Sequence, residues 1–146
     1  MTTSKDLMLA ILAMDSYNRE YGAGLVVSGT QIGSATFQPH DFQNRVSEDT
    51  YAAWKSSGFY AAAYTVADGS IVISYRGSDD AHDYWNDFQF SALGPTGVIP
   101  KQVELAAQFY QSVKAANPDK TIVLTGHSLG GALAATAAPA PTHARN

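Results

Sequence analysis

Cysteine is absent from this 146-residue chain, which removes disulfide staples, thiolate metal sites and cysteine nucleophiles together. Charge is scarce as well. Only 15% of the residues are charged, and the net charge of -4 with a pI near 5.4 leaves no basic face to neutralise phosphates. Nucleic acid is therefore not an expected partner. No apolar run approaches the roughly 18 residues that a bilayer-spanning helix needs, so no transmembrane segment is expected. The stretch Leu7 to Met14 has the length of a signal-peptide core, but Asp6 precedes it, while Asp15 and the polar run Ser16-Tyr17-Asn18-Arg19-Glu20 follow without a small-x-small cleavage pattern. It reads as a core helix, no signal peptide is recognised, and the compartment stays unassigned. Internal repeats are missing too.

What is present fits a folded chain. Hydrophobic residues make up 45%, enough for one sizeable core and too little length for two, so residues 1–146 read as a single domain. The first helix is expected from about Ser4, with Thr2, Thr3 or Ser4 as its cap and Leu7, Ile11 and Met14 as the main buried stripe, Met8 and Leu12 beside it. From Glu20 to about Ser57, glycines and Pro39 break the pattern into short pieces whose helix or strand content the sequence does not determine. Phe59 to Val66 and Ser70 to Arg76 are then β-rich runs joined by Ala67-Asp68-Gly69, an expected hairpin. Pro100 opens a helical pattern carrying Val103, Ala106, Ala107, Tyr110 and Val113 or Lys114, which Asn117-Pro118 should end. Thr121 to Thr125 follows as an apolar strand, and Gly130 to about Ala138 as a helix of small residues. Strand, helix, strand, turn, helix implies a parallel strand pair with a right-handed crossover. The loops after Arg76 and after Thr125 should then open into one crevice.

The turn after that last strand carries the chemistry. Gly126-His127-Ser128-Leu129-Gly130 fits Gly-x-Ser-x-Gly, with the strand before and the helix after that a nucleophile elbow demands. A serine on so sharp a turn exposes its Oγ, glycines two positions to either side avoid Cβ clashes, and the N–H of Leu129 at the helix start can donate to a developing oxyanion. The plainer alternative is an ordinary strand-to-helix turn. The second signal is Ser74-Tyr75-Arg76-Gly77-Ser78-Asp79-Asp80, where an N–H after the strand would supply the other oxyanion donor. Asp79, Asp80, His82 and Asp83 read as a solvated loop rather than a metal site, His40 as structural or surface, and neither a metal nor a cofactor is expected.

Taken together, Arg76-Gly77-Ser78 and Gly126 to Gly130 resemble the signatures of class 3, fungal-type lipases of the α/β-hydrolase superfamily, over about Phe59 to Ala135. The resemblance implies an α/β fold with a mixed sheet, an N-terminal helix, a hairpin and a β-α-β unit leading to the elbow. It implies a serine carboxylic-ester hydrolase acting on an ester or lipid substrate at a lipid–water interface. Ser128 would be the nucleophile and Ser78 with Leu129 the oxyanion hole. The segment Asp80 to Phe90 would be a lid built on Tyr84, Trp85, Phe88 and Phe90, with plain core packing as the alternative for these aromatics. The family order of Ser, then Asp or Glu, then His is not completed here. Residues 129–146 contain His143 and no Asp or Glu, and His127 faces away from its neighbour on a tight turn. The expectation is a truncated α/β-hydrolase domain, covering the N-terminal portion of the family. Its nucleophile strand would present an open edge prone to self-association. The alternative function is a catalytically incomplete chain, inactive or acting by binding only.

Overall fold

The hairpin is the centre of the molecule because both of its strands are apolar on both sides, which only a sheet covered on two faces can accommodate. The computed structural model describes residues 4–19, 29–38, 47–76, 98–127 and 129–137. In chain order these form α1 (Lys5–Asp15), a 3₁₀ turn (Ser16–Asn18), β1 (Gln31–Ile32), β2 (Ala35–Phe37), α2 (Glu48–Ser57), β3 (Tyr60–Thr65), β4 (Ile71–Arg76), α3 (Val98–Ala116), β5 (Ile122–Gly126) and α4 (Leu129–Ala137). The five strands make one sheet in the order β1-β2-β3-β4-β5. All neighbours are antiparallel except β4 and β5, which run parallel, with Tyr75 opposite Gly126 at the end of the register. The architecture is the expected α/β one with a mixed sheet.

Alternation along the strands divides the core in two. Ala61, Ala63, Ile71, Ile73 and Tyr75 point to the face covered by α2, α3 and α4, where they meet Trp54, Phe59, Phe109 and Leu133. Tyr60, Ala62, Tyr64 and Val72 point to the opposite face, which packs on Met8 and Leu12 of α1 and on Ala35 and Phe37 of β2. The hairpin turns at Gly69 with φ 83°, a backbone conformation that glycine adopts without strain. Ser70 donates from its hydroxyl and its N–H to Asp68, and these bonds hold the exposed Asp68 carboxyl below the usual carboxylate range.

Two helical faces differ from expectation. In α1 the buried residues are Met8, Leu12 and Ala13, whereas Leu7 (54% exposed), Ile11 (38%) and Met14 (53%) look outward. The expected stripe is thus rotated. With apolar residues at nearly every position of this helix, periodicity alone does not choose the face, and the choice goes to the residues that reach β4 and β5. In α3 the buried line is Gln102, Leu105, Ala106, Phe109 and Val113, so the expected positions Val103 and Tyr110 lie at its margin, packed against the core but only partly buried. The helix also starts at Val98, two positions before Pro100. Segment 20–57, undetermined from sequence, contributes β1, β2 and the well-capped α2. There the Ser47 hydroxyl accepts from Thr50 N at 3.2 Å and Gly58 closes the helix at φ 68°.

The rotated face of α1 can be checked by paired substitutions. Leu12→Ala is expected to destabilise by about 2–5 kcal/mol, as core truncations do, and Ile11→Ser to change stability by no more than about 0.5 kcal/mol. Urea unfolding monitored by tryptophan fluorescence measures both, and the reverse ranking would contradict this packing.

Candidate active site

The parallel pairing of β4 and β5 brings two strand ends side by side. Arg76 closes β4 and Gly126 closes β5, with Tyr75 and Gly126 in register. The chain leaving each therefore exits at the same end of the sheet, where α/β proteins place their sites. After Gly126 the backbone passes His127 and starts α4 at Leu129. The N–H of Leu129 is thus one of the first-turn donors that a helix leaves without an intrahelical partner, at the positive end of its dipole. Gly130 is in the first turn of the same helix. Ser128, Gly77 and Ser78 lie outside the described residues, as do the lid segment with Tyr84, Trp85, Phe88 and Phe90, the acidic cluster around Asp79, His40 and His143.

Gly131, in the first turn of α4, comes close to the end of β5. A Cβ there would sit 3.2 Å from the carbonyl oxygen of Gly126, tighter than ordinary van der Waals contact. The small residues at the start of α4 let it settle on the end of β5. On the open side of that strand, a groove of about 480 Å³ is lined by Tyr110, Ile122, Leu124, Gly131 and Ala134 among others. β5 itself is half-buried along its whole length.

The opposite side of the elbow is held by residues that sequence reasoning passed over. Tyr17, in the 3₁₀ turn after α1, donates its hydroxyl to the His127 carbonyl at 3.3 Å and lies 3.4 Å from His127 Nδ1. The two rings meet edge to face with centroids 5.9 Å apart. The turn that carries Tyr17 is itself fixed. Arg19, 4% exposed, donates from Nε and Nη2 to the two oxygens of Asp15 at 2.8 and 3.2 Å, and from Nη1 to the Gly29 carbonyl at 2.6 Å. Its guanidinium stacks 4.5 Å over Phe37. Tyr64 donates its hydroxyl to the same Asp15 carboxylate at 2.8 Å. Arg76, 3% exposed, donates from Nη1 to the Arg19 carbonyl at 3.3 Å and stacks 4.7 Å over Tyr60. In sequence the only local signal was the Asp15/Arg19 spacing of four, which suits a helical ion pair.

Burial sets the protonation of this network. It works to lower the Arg19 pKa, but the hydrogen bond and charge of Asp15 outweigh it and leave the guanidinium above its ordinary value. Tyr64 is pushed well above the tyrosine range, first by burial and then by the Asp15 charge it faces. Tyr75, whose hydroxyl donates to the Ala106 carbonyl at 2.9 Å, is raised mainly by burial. Among the described residues no cluster of metal-ligating side chains occurs, and no helix is long and apolar enough to cross a membrane.

A sheet with helices on both faces, and a strand-turn-helix at the carboxyl end of its parallel pair, defines an α/β-hydrolase-type arrangement. The chain belongs to the phospholipase-like family: the model of the Tle-like phospholipase domain matches residues 8–144. It is 33% identical over 142 residues, 91% of its length, to the extracellular phospholipase A1 of Serratia liquefaciens. It is also 37% identical over 91 residues, 52% of its length, to the secreted mono- and diacylglycerol lipase 1 of Fusarium solani. The chain spans 38% and 27% of the lengths of these relatives. No solved structure matches it. The lipase kinship expected from the two motifs therefore holds.

The buried tyrosines make a pH prediction. A tyrosine whose folded pKa exceeds its unfolded value of about 10 contributes fully to stability below that pH. The contribution is lost as pH rises through and above it, because the unfolded chain releases the proton first. The thermal midpoint is expected to fall above about pH 10, and less steeply in the Tyr64→Phe/Tyr75→Phe double variant. Calorimetry between pH 8 and 11 measures this, and identical slopes for the two proteins would rule out these groups as the source.

Proposed function

We propose that this chain carries the nucleophile and oxyanion hole of a lipid-ester hydrolase, with residues 1–146 acting as one lipase-like unit. The observation that carries this reading is the common exit of β4 and β5, with the motifs Arg76-Gly77-Ser78 and Gly126 to Gly130 at those two exits. A general base takes the proton of Ser128 Oγ as it attacks the ester carbonyl carbon, and later returns that proton to the departing alkoxide. The carbonyl oxygen takes up the negative charge. The N–H groups of Leu129 and Ser78 donate to it, with the α4 N-terminus adding the field of its dipole. The tetrahedral centre collapses with loss of the alcohol, leaving an acyl group on Ser128. Water then adds to that acyl carbon and releases the carboxylic acid. A serine hydroxyl needs a base to take its proton. His127 is engaged with Tyr17, so this chain's contribution is the nucleophile, the turn that presents it and the oxyanion donors.

The substrate class is a glycerolipid carboxylic ester met at a lipid–water interface. The names of the two relatives support this, one a phospholipase A1 and the other a mono- and diacylglycerol lipase. The class 3 resemblance adds a lid over residues 80–90, with Tyr84, Trp85 and Phe88 as its apolar content. No cofactor enters the scheme.

Fluorophosphonate probes modify nucleophilic serines that face oxyanion donors. Ser128 is expected to be the labelled residue by mass spectrometry, and Ser128→Ala to lose labelling and at least about a thousandfold of p-nitrophenyl ester turnover. Labelling at another serine, or turnover that survives the substitution, would overturn the assignment.

A further inference from the structure

The scheme above leaves Tyr17 without a part, although it touches the residue immediately before the nucleophile. We propose that Tyr17 is a positioning residue for Ser128, its hydroxyl holding the carbonyl of His127, the residue immediately before it. The inference rests on the reading of Ser128 as nucleophile.

The carbonyl oxygen of His127 and the amide nitrogen of Ser128 belong to one planar peptide unit. A donor held against that oxygen restricts rotation of the whole plane, and so of the peptide unit that leads into Ser128. Tyr17 supplies the donor at 3.3 Å. Its single hydroxyl proton is committed to the carbonyl, which can only accept, so the Nδ1 atom at 3.4 Å is matched when it carries a proton and donates to the Tyr17 oxygen. The edge-to-face packing of the two rings keeps both bonds in register.

Tyr17 can act this way because its own backbone has little freedom. It sits between Ser16, whose hydroxyl donates to the Ala13 carbonyl at 2.9 Å, and the locked Arg19 with its bidentate partner Asp15. The Arg19 carbonyl receives Arg76 at the end of β4. Residues 17–19 therefore contact the last residue of β4 and the residue after β5 at once. Errors of about 1 Å in such a constellation cost on the order of a hundredfold in rate. A long hydrogen bond at a half-exposed tyrosine contributes little to global stability. Rate and stability should therefore separate.

The test is Tyr17→Phe in the full chain, which keeps the ring and deletes the hydroxyl. Expected are a fall of about tenfold in the fluorophosphonate labelling rate of Ser128 and in kcat for a p-nitrophenyl ester, with KM within about twofold and the thermal midpoint unchanged. Hydrogen exchange should rise at the Ser128 amide while that of β5 holds. Labelling and kcat within about twofold of the parent would overturn the proposal. So would exchange that rises throughout β5 and α4, since that marks a general loss of packing. Failure of the parent protein to label at Ser128 would instead remove the nucleophile reading, and this inference with it.

Discussion

The parallel pairing of β4 with β5 is the constraint on which the site depends. An antiparallel neighbour would carry its following loop to the other end of the sheet. A parallel one needs a crossover, here the segment containing α3, and delivers both exits to one edge. α3 can serve as that crossover because its line of Leu105, Ala106, Phe109 and Val113 buries against Phe59, Tyr75 and the rest of one core. Gln102 at its head adds a bond from Nε2 to the Ser57 carbonyl of 2.6 Å that ties it to the end of α2. The aromatic packing of Trp54, Phe59, Tyr75 and Phe109, with centroids 5.0 to 6.5 Å apart, holds α2 and α3 against β4.

The other face performs a different task. Its core is smaller, and it contains a buried cluster of Asp15, Arg19, Tyr64 and Arg76. Taking such charges out of water costs several kcal/mol per ion, and pairing roughly balances that cost rather than exceeding it. The return is orientation: bidentate and charge-assisted bonds hold their groups at defined angles, which apolar packing does not. The arrangement of Arg76 illustrates this. It is neither a surface charge nor simply one half of an ion pair, since it donates to the main chain of Arg19 and stacks on Tyr60.

Much of this was legible in the sequence because the signals were local. The hairpin strands, β5, α4 and the end of α3 are within about two residues of where alternation, Asp-Gly and Asn-Pro place them. The elbow strand and helix were legible for the same reason, and so was the Ser4 cap, which accepts from Leu7 N at 3.3 Å. Where tertiary contact decides, the sequence misled or was silent. The outward face of α1 is as apolar as its inward face, so only the position of β4 and β5 distinguishes them. β1 and β2 are two and three residues long, too short to show a period. Tyr17 reaches His127 across 110 positions of sequence, and no spacing rule connects residues that far apart.

The composition of the elbow explains why support from α1 would be needed at all. Glycine at 126, 130 and 131 and the alanines of α4 let the helix approach until Gly131 lies against the Gly126 carbonyl. The same residues have no side chains with which to hold the turn in place, and glycine gives the backbone more conformations to lose on folding than any other residue. A tight turn built from small residues is thus well shaped and poorly anchored. Its orientation has to come from groups outside it, and the edge of β5 away from β4 has no strand partner among the described residues. On the α1 side Tyr17 donates to the His127 carbonyl from a turn that Asp15 and Arg19 pin, while α4 packs on α3 and β4 across the other face of the sheet.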